Sequence, residues 1–313
     1  MASNSTDEKA PLFYNYEDPT SLVASVLMLL NGVFGVICNS LIVYIFVSET
    51  KERSSFNVIC VFRAVINIYI LLTNHLFLFI PITLTGVQVY SKTLETWAIC
   101  MANSLYIANE YMTIVIAVNR FVSLFFPVHY SMIFEIKKTL LAVSLVYAYR
   151  ILAVTREIIN YTALGCSVLY YVEYLSWLPD FSLECESNSG ILLFMAINFT
   201  IVSIFNMATF GKVFSFYRKN AYLFIQTLMQ DSLYLIDISF TFYFFSFFDN
   251  RFWTFFSGTF VWESLHSLDG FIMIMFNERL SFLKKQLFQP LASKVSFIRV
   301  SQASTGPHSN IEK

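Results

Sequence analysis

Seven apolar runs, each long enough to cross a bilayer, leave this chain few ways to fold. They fall at Leu22–Val47, Phe56–Ile80, Trp97–Phe125, Leu140–Asn160, Ile191–Val213, Ala221–Phe248 and Phe252–Phe276. A helix needs roughly 20 residues to span hydrocarbon, and inside it the backbone must satisfy its own polar groups. The fourth run is the weakest, because Arg150 and Arg156 interrupt it, and the sixth meets the seventh across the short turn Asp249-Asn250-Arg251. The chain is 57% hydrophobic and 13% charged, against about half and about a quarter for a soluble domain. The expected fold is an all-α membrane protein, a seven-transmembrane helix bundle over 21–278. A net charge of −1 offers no basic field for nucleic acid.

Loop charges set the expected orientation. Of the 20 Lys and Arg, fourteen fall on one side if the N-terminus is outside: Lys51, Arg53, Arg120, Lys137, Lys138, Lys212, Arg218, Lys219, Arg279, Lys284, Lys285, Lys294, Arg299 and Lys313. Four fall on the other (Lys9, Lys92, Arg156, Arg251), and Arg63 and Arg150 lie within spans. Basic loops stay cytoplasmic, so the N-terminal tail, residues 1–20, is expected outside. It lacks a basic start and a small-residue cleavage site, so the first span is expected to act as an uncleaved anchor. The sequons at Asn4 and Asn160 then face outward as glycosylation candidates.

Cys38 and Cys60 lie inside spans and read as small packing residues. Cys100, Cys166 and Cys185 map to the outer, oxidising side. Three thiols allow one bond. Cys166–Cys185 is the favoured pairing, because both lie in the loop between spans four and five and their bond would pin it as a lid. Pairing Cys100 with either stays open.

Polar residues inside hydrocarbon need partners and turn to the bundle interior. Asn39, Asn67 and Asp269 are expected to form one cluster joining helices one, two and seven, as interhelical glue or a switch. Arg63, one turn from Asn67, needs a carboxylate, with Asp269 and Asp231 as candidates. Glu110 lies mid-span in helix three, and Glu263 and His266 share a face of helix seven. Glu110, Glu263, His266 and Trp262 are the ligand-pocket candidates. There is no His-Glu-x-x-His and no glycine-rich phosphate loop, and the four histidines are scattered. The expectation is therefore no catalytic set, no metal and no cofactor.

The segment Asn119-Arg120-Phe121, with Pro127 and Tyr130 following, resembles the inner end of helix three in rhodopsin-like G-protein-coupled receptors. A closer resemblance is to the nematode serpentine receptors of class X, the Srx chemoreceptors. Ser55-Phe56, the run from Asn119 through Pro127-Val128-His129-Tyr130, Ile133-Phe134, Phe224-Ile225-Gln226-Thr227 and Phe260-Val261-Trp262-Glu263 through Asp269-Gly270 to Asn277 carry it. It spans roughly residues 30 to 280, and Cys166 and Cys185 fit the family's second outer loop. The resemblance implies a chemosensory receptor in the cell membrane, in a sensory-neuron cilium. It would bind a small-molecule or peptide ligand and pass the signal to the α-subunit of a heterotrimeric G protein. Arg120, Asn119, Pro127 and Tyr130 would form the coupling end.

The chain also departs from the rhodopsin-like pattern. Spans five, six and seven hold no Pro, span six has no Cys-Trp-x-Pro, Met273 replaces a common tyrosine, and Ala102 replaces the amine-binding aspartate. A short amphipathic helix over 279–288 and a cytoplasmic disordered tail over 289–313 are expected to follow. The alternatives are a ligand-gated channel of the insect odorant-receptor kind, whose N-terminus is inside, and a solute carrier, against which the odd span number and missing repeat argue.

Overall fold

The computed structural model describes residues 18–48, 54–179, 185, 190–216 and 221–276. Asn4, Asn277, the tail over 1–17 and the helix and tail expected over 279–313 lie outside the described residues.

The elements are α1 (Pro19–Ser48), α2 (Ser55–Thr85), α3 (Lys92–Phe125), a short α4 (Pro127–Ile133), α5 (Ile136–Ala163), β1 (Val168–Tyr171), β2 (Ser176–Pro179), α6 (Gly190–Phe216), α7 (Ala221–Phe242) and α8 over 251–276. Among the described residues, four stretches are long and apolar enough to cross a membrane: α1, α2, α5 and Leu193–Lys212 of α6. The rods α3, α7 and α8 carry most of the buried charged groups described below. α3 lies at the centre, against α2, α5, α6 and β1, while α1 packs on α2 and α8, and α7 on α6 and α8.

Local chemistry sets the helix ends. Ser54, Ser91 and Asn250 cap α2, α3 and α8, accepting from the N–H of Asn57, Leu94 and Trp253 at 3.2, 3.3 and 2.7 Å. Pro127 starts α4 just after α3 ends at Phe125; its missing N–H is harmless at a first turn. The sixth span was expected to reach Phe248. Instead α7 stops at Phe242, and Phe244–Phe247 form one 3₁₀ turn. Its aromatic run packs edge-on, with Phe240 against Phe244 at 5.1 Å and Phe244 against Phe247 at 5.1 Å. α8 holds no proline, yet it is irregular: Phe255–Phe260 is a π segment, and α2 has another at Leu71–Phe79. Such insertions break helix regularity much as a proline would.

The loop between α5 and α6 holds a feature the sequence reading did not foresee, an antiparallel hairpin pairing Val168 with Pro179 and Tyr171 with Ser176. The Cys166–Cys185 disulfide ties its base to the following loop, and Cys100 is a free thiol. The hairpin covers one end of the bundle and is bonded on several sides. Thr83 of α2 meets the Tyr170 hydroxyl at 3.0 Å, and Gln88 donates to the Tyr170 carbonyl at 2.7 Å. From α3, the Glu95 carboxylate accepts from the Tyr170 N–H, and the Thr96 hydroxyl accepts from Val168 N–H at 3.1 Å. Thr259 of α8 donates to the Leu175 carbonyl at 2.8 Å. That bond helps hold Leu175 left-handed at φ 50, a conformation costing about 1–2 kcal/mol. Tyr170 is fully buried and stacks on Phe79 at 4.4 Å.

Arg251 joins three elements at this end. It donates to Asp18 and Ser21 at the start of α1 and to the Val172 carbonyl of the hairpin turn. Partial burial pushes the Asp18 carboxyl up, but bonds from Ser21, Arg251 and the Thr20 and Ser21 N–H groups outweigh it and leave the pKa below the usual value. A lowered folded pKa stabilises the fold above the carboxylate range, and the gain is lost as pH falls through the folded pKa. Asp18→Asn is expected to lose about 1 kcal/mol or less near neutrality, because the pair is partly exposed. Thermal melts of wild type and variant should converge in acid; a gap that persists there would contradict this assignment.

Candidate functional site

The middle of the bundle holds a continuous polar junction. Arg63 on α2 and Asp269 on α8 are each 1% exposed, and Arg63 Nη2 donates to Asp269 Oδ1 at 2.7 Å. Gln230 of α7 donates to the same oxygen at 2.7 Å, and Asn67 donates to Oδ2 at 2.9 Å. Asn67 also donates to Asn39 at 3.2 Å, and Asn39 in turn donates to the Gly35 and His266 carbonyls at 2.8 and 3.1 Å. The Asn67 carbonyl oxygen takes Asn109 of α3 at 3.0 Å and faces His266 Nδ1 at 2.9 Å. Tyr147 of α5 donates to Asn109 at 2.6 Å, and the Arg63 guanidinium also lies over the Tyr234 ring at 5.6 Å. A buried ion pair is costly unless further hydrogen bonds support its charges, and here amides from α2 and α7 bond the carboxylate, while Arg63 Nε has no hydrogen-bond partner among the described residues.

The expected group of Asn39, Asn67, Asp269 and Arg63 thus comes together, with Asp269 rather than Asp231 as the ion-pair partner. Asp231 accepts from Asn206 of α6 and lies within electrostatic range of Arg63 and Arg120. Sequence reasoning missed Gln230, Asn109 and Tyr147. Their one signal was a polar group in an apolar run.

Close backbone approach makes room for the junction. A Cβ on Gly270 would lie 2.6 Å from the Asn39 amide, and one on Gly35 would lie 2.8 Å from Ser267 Cα. Small residues let membrane helices meet this way.

At the end opposite the hairpin, Asn119 and Arg120 sit near the last turns of α3, both buried. The Arg120 guanidinium lies over the Phe56 ring at 4.9 Å. Asn119 reaches Ser55 and Tyr130 at 3.4 Å each, and these two hydroxyls meet at 2.8 Å. Pro127 positions Tyr130 by opening α4, so this small network ties α3 and α4 to the start of α2. Lys212 of α6 donates to the Leu124 carbonyl at 2.7 Å and lies 4.3 Å over the Phe125 ring.

The pocket candidates do not meet at one point. His266 belongs to the junction. Glu263 faces α1 and α2, with Oε2 4.0 Å from His75 Nδ1. Trp262 lies among His75, His266, Trp177 and Tyr106 at 5.2, 5.5, 6.0 and 6.4 Å. Glu110 is one turn from Tyr106, whose hydroxyl donates to Asp237 of α7 at 2.8 Å. Asn160 is exposed in the last turn of α5, at the hairpin end. Among the described residues, no group of three or more His, Cys, Asp or Glu is placed to hold a metal.

Gly270→Ala is expected to cost about 1–3 kcal/mol by displacing Asn39. Gly211→Ala, whose Cβ would meet nothing within 4 Å, should be neutral or slightly stabilising. Melting curves of the two variants in lipid nanodiscs make the comparison, and equal midpoints would contradict the packing argument.

The family described as Serpentine type 7TM GPCR chemoreceptor Srx matches residues 29–277. No curated protein matches the chain. The match takes in the junction, the Arg120 end and the hairpin together, and the chain belongs to the Srx family of seven-transmembrane chemoreceptors.

Proposed function

We propose that this multi-pass membrane protein detects an external chemical and activates a heterotrimeric G protein. The observation that carries the proposal is Arg120. It is buried at the end of the central helix opposite the disulfide-bonded hairpin. The disulfide suits an oxidising exterior, and the charge-rich loops suit a cytoplasmic face. Both favour the N-terminus and hairpin outside and Arg120 inside. The setting would be the cell membrane, including a sensory cilium, with Asn4 and Asn160 available to glycosylation.

The external ligand sits beneath the hairpin, among Glu110, Trp262, Glu263, His266 and neighbouring groups. It acts by binding one arrangement of the helices better than the other. The active arrangement opens the Arg120 end, where a G-protein α-subunit helix enters. A guanidinium suits that encounter, because it stays charged and its fork bonds the free carbonyls of a helix C-terminus. In the closed arrangement Arg120 rests on Phe56, and Asn119, Ser55 and Tyr130 hold α4 against α2. Asn119 carries no charge, so this latch works through amide and hydroxyl bonds.

Arg120→Ala at normal surface level is expected to reduce G-protein nucleotide exchange by about tenfold or more, the loss of one charge-assisted contact set. Undiminished exchange would contradict the role given to Arg120. Glycan attached to Asn4 in intact cells checks the orientation.

A further inference from the structure

Most intramembrane charges here have partners in view; Glu263 does not. It lies on α8 just beyond the π segment Phe255–Phe260, and its side chain is fully buried. Neither of its carboxyl oxygens makes a hydrogen bond. Facing it is His75, also fully buried, inside the π segment of α2. The 4.0 Å between His75 Nδ1 and Glu263 Oε2 is too long for a hydrogen bond, and both ring nitrogens lack partners. On α1, the Asn31 amide donates to Ser264 Oγ at 3.1 Å and makes a loose contact, outside normal hydrogen-bond geometry, with the Glu263 carboxyl. Among the described residues no Lys or Arg comes within 4 Å of Glu263.

Gly32 lets the α1 backbone approach the carboxyl closely, since a Cβ there would lie 2.9 Å from Oε1 and 2.9 Å from Leu76 Cδ2. Phe79 and Trp262 wall the His75 ring, each at 5.2 Å, and Trp262 meets Trp177 of the hairpin at 6.0 Å. A buried polar group without a partner is costly, and π segments concentrate at functional sites. Two of them place these two groups face to face.

We propose that Glu263 and His75 form a subsite between α1, α2 and α8, beneath the hairpin, for the ammonium group of a small amine ligand. Glu263 supplies the counter-charge, and the ring faces of Trp262 and Phe79 attract a cation. A carboxylate ligand would meet like charge, and an alcohol would leave Glu263 without a cation. The inference rests on the receptor reading, whose ligand class it names.

The test uses full-length protein in lipid nanodiscs, with thermal unfolding as the binding readout. The probes are phenethylamine, its neutral counterpart 2-phenylethanol and the anion 3-phenylpropanoate. The expected result is stabilisation by the amine alone, with Glu263→Gln weakening its apparent affinity by about tenfold or more. No stabilisation by the amine, equal stabilisation by the alcohol, or an unchanged amine effect in Glu263→Gln would overturn the proposal. If that variant does not fold, the three-probe comparison on wild type decides. Amine binding without nucleotide exchange would count against the receptor reading and leave the site standing. Exchange driven by other ligands, without amine binding, would do the reverse.

Discussion

The ion pair between Arg63 and Asp269 is the interaction on which the rest of the structure depends. Two opposite charges at 1% exposure are costly alone and tolerable together, provided their remaining donors and acceptors find partners. That requirement draws in Asn67, Gln230 and, through the amides, Asn39, Asn109 and Tyr147. One electrostatic demand thereby fixes the relative positions of α1, α2, α3, α5, α7 and α8. Apolar packing alone would leave such helices freer to slide, because lipid tails are as apolar as the side chains between them.

From this junction the two ends of the bundle diverge in character. The hairpin end is closed by many bonds of ordinary strength, from Thr83, Gln88, Glu95, Thr96, Arg251 and Thr259, and by one disulfide. Among the described residues, the contacts at the Arg120 end include a cation over a ring, the bonds among Asn119, Ser55 and Tyr130, and the Lys212 bond to the Leu124 carbonyl.

Much of the fold was legible in the sequence because hydrocarbon imposes a simple rule. Apolar runs become helices, and the expected spans match the long rods to within a few residues at most ends. The exceptions are local. Aromatic crowding after Phe242 replaced the end of the sixth span with a 3₁₀ turn, and the π segments left no mark in composition. The hairpin was overlooked, although Val168-Leu169-Tyr170-Tyr171 carries the aromatic and β-branched residues strands favour. In the site, Asn39, Asn67, Arg63 and Asp269 were legible because each is expensive in a membrane. Their partners Gln230, Asn109 and Tyr147 were not, since a single sequence does not say which helices face each other. His75 escaped notice for the same reason: its meaning comes from Glu263, 188 positions away in the chain.

The central claim is that Arg63 and Asp269 act as one unit that organises the bundle. A double-mutant cycle with Arg63→Leu, Asp269→Leu and the double variant, followed by unfolding in nanodiscs, tests it directly. Each single variant should lose about 3–5 kcal/mol by stranding the other charge, and the double variant should lose much less than the sum. Strictly additive losses would mean that the two residues are not coupled, and would contradict the account.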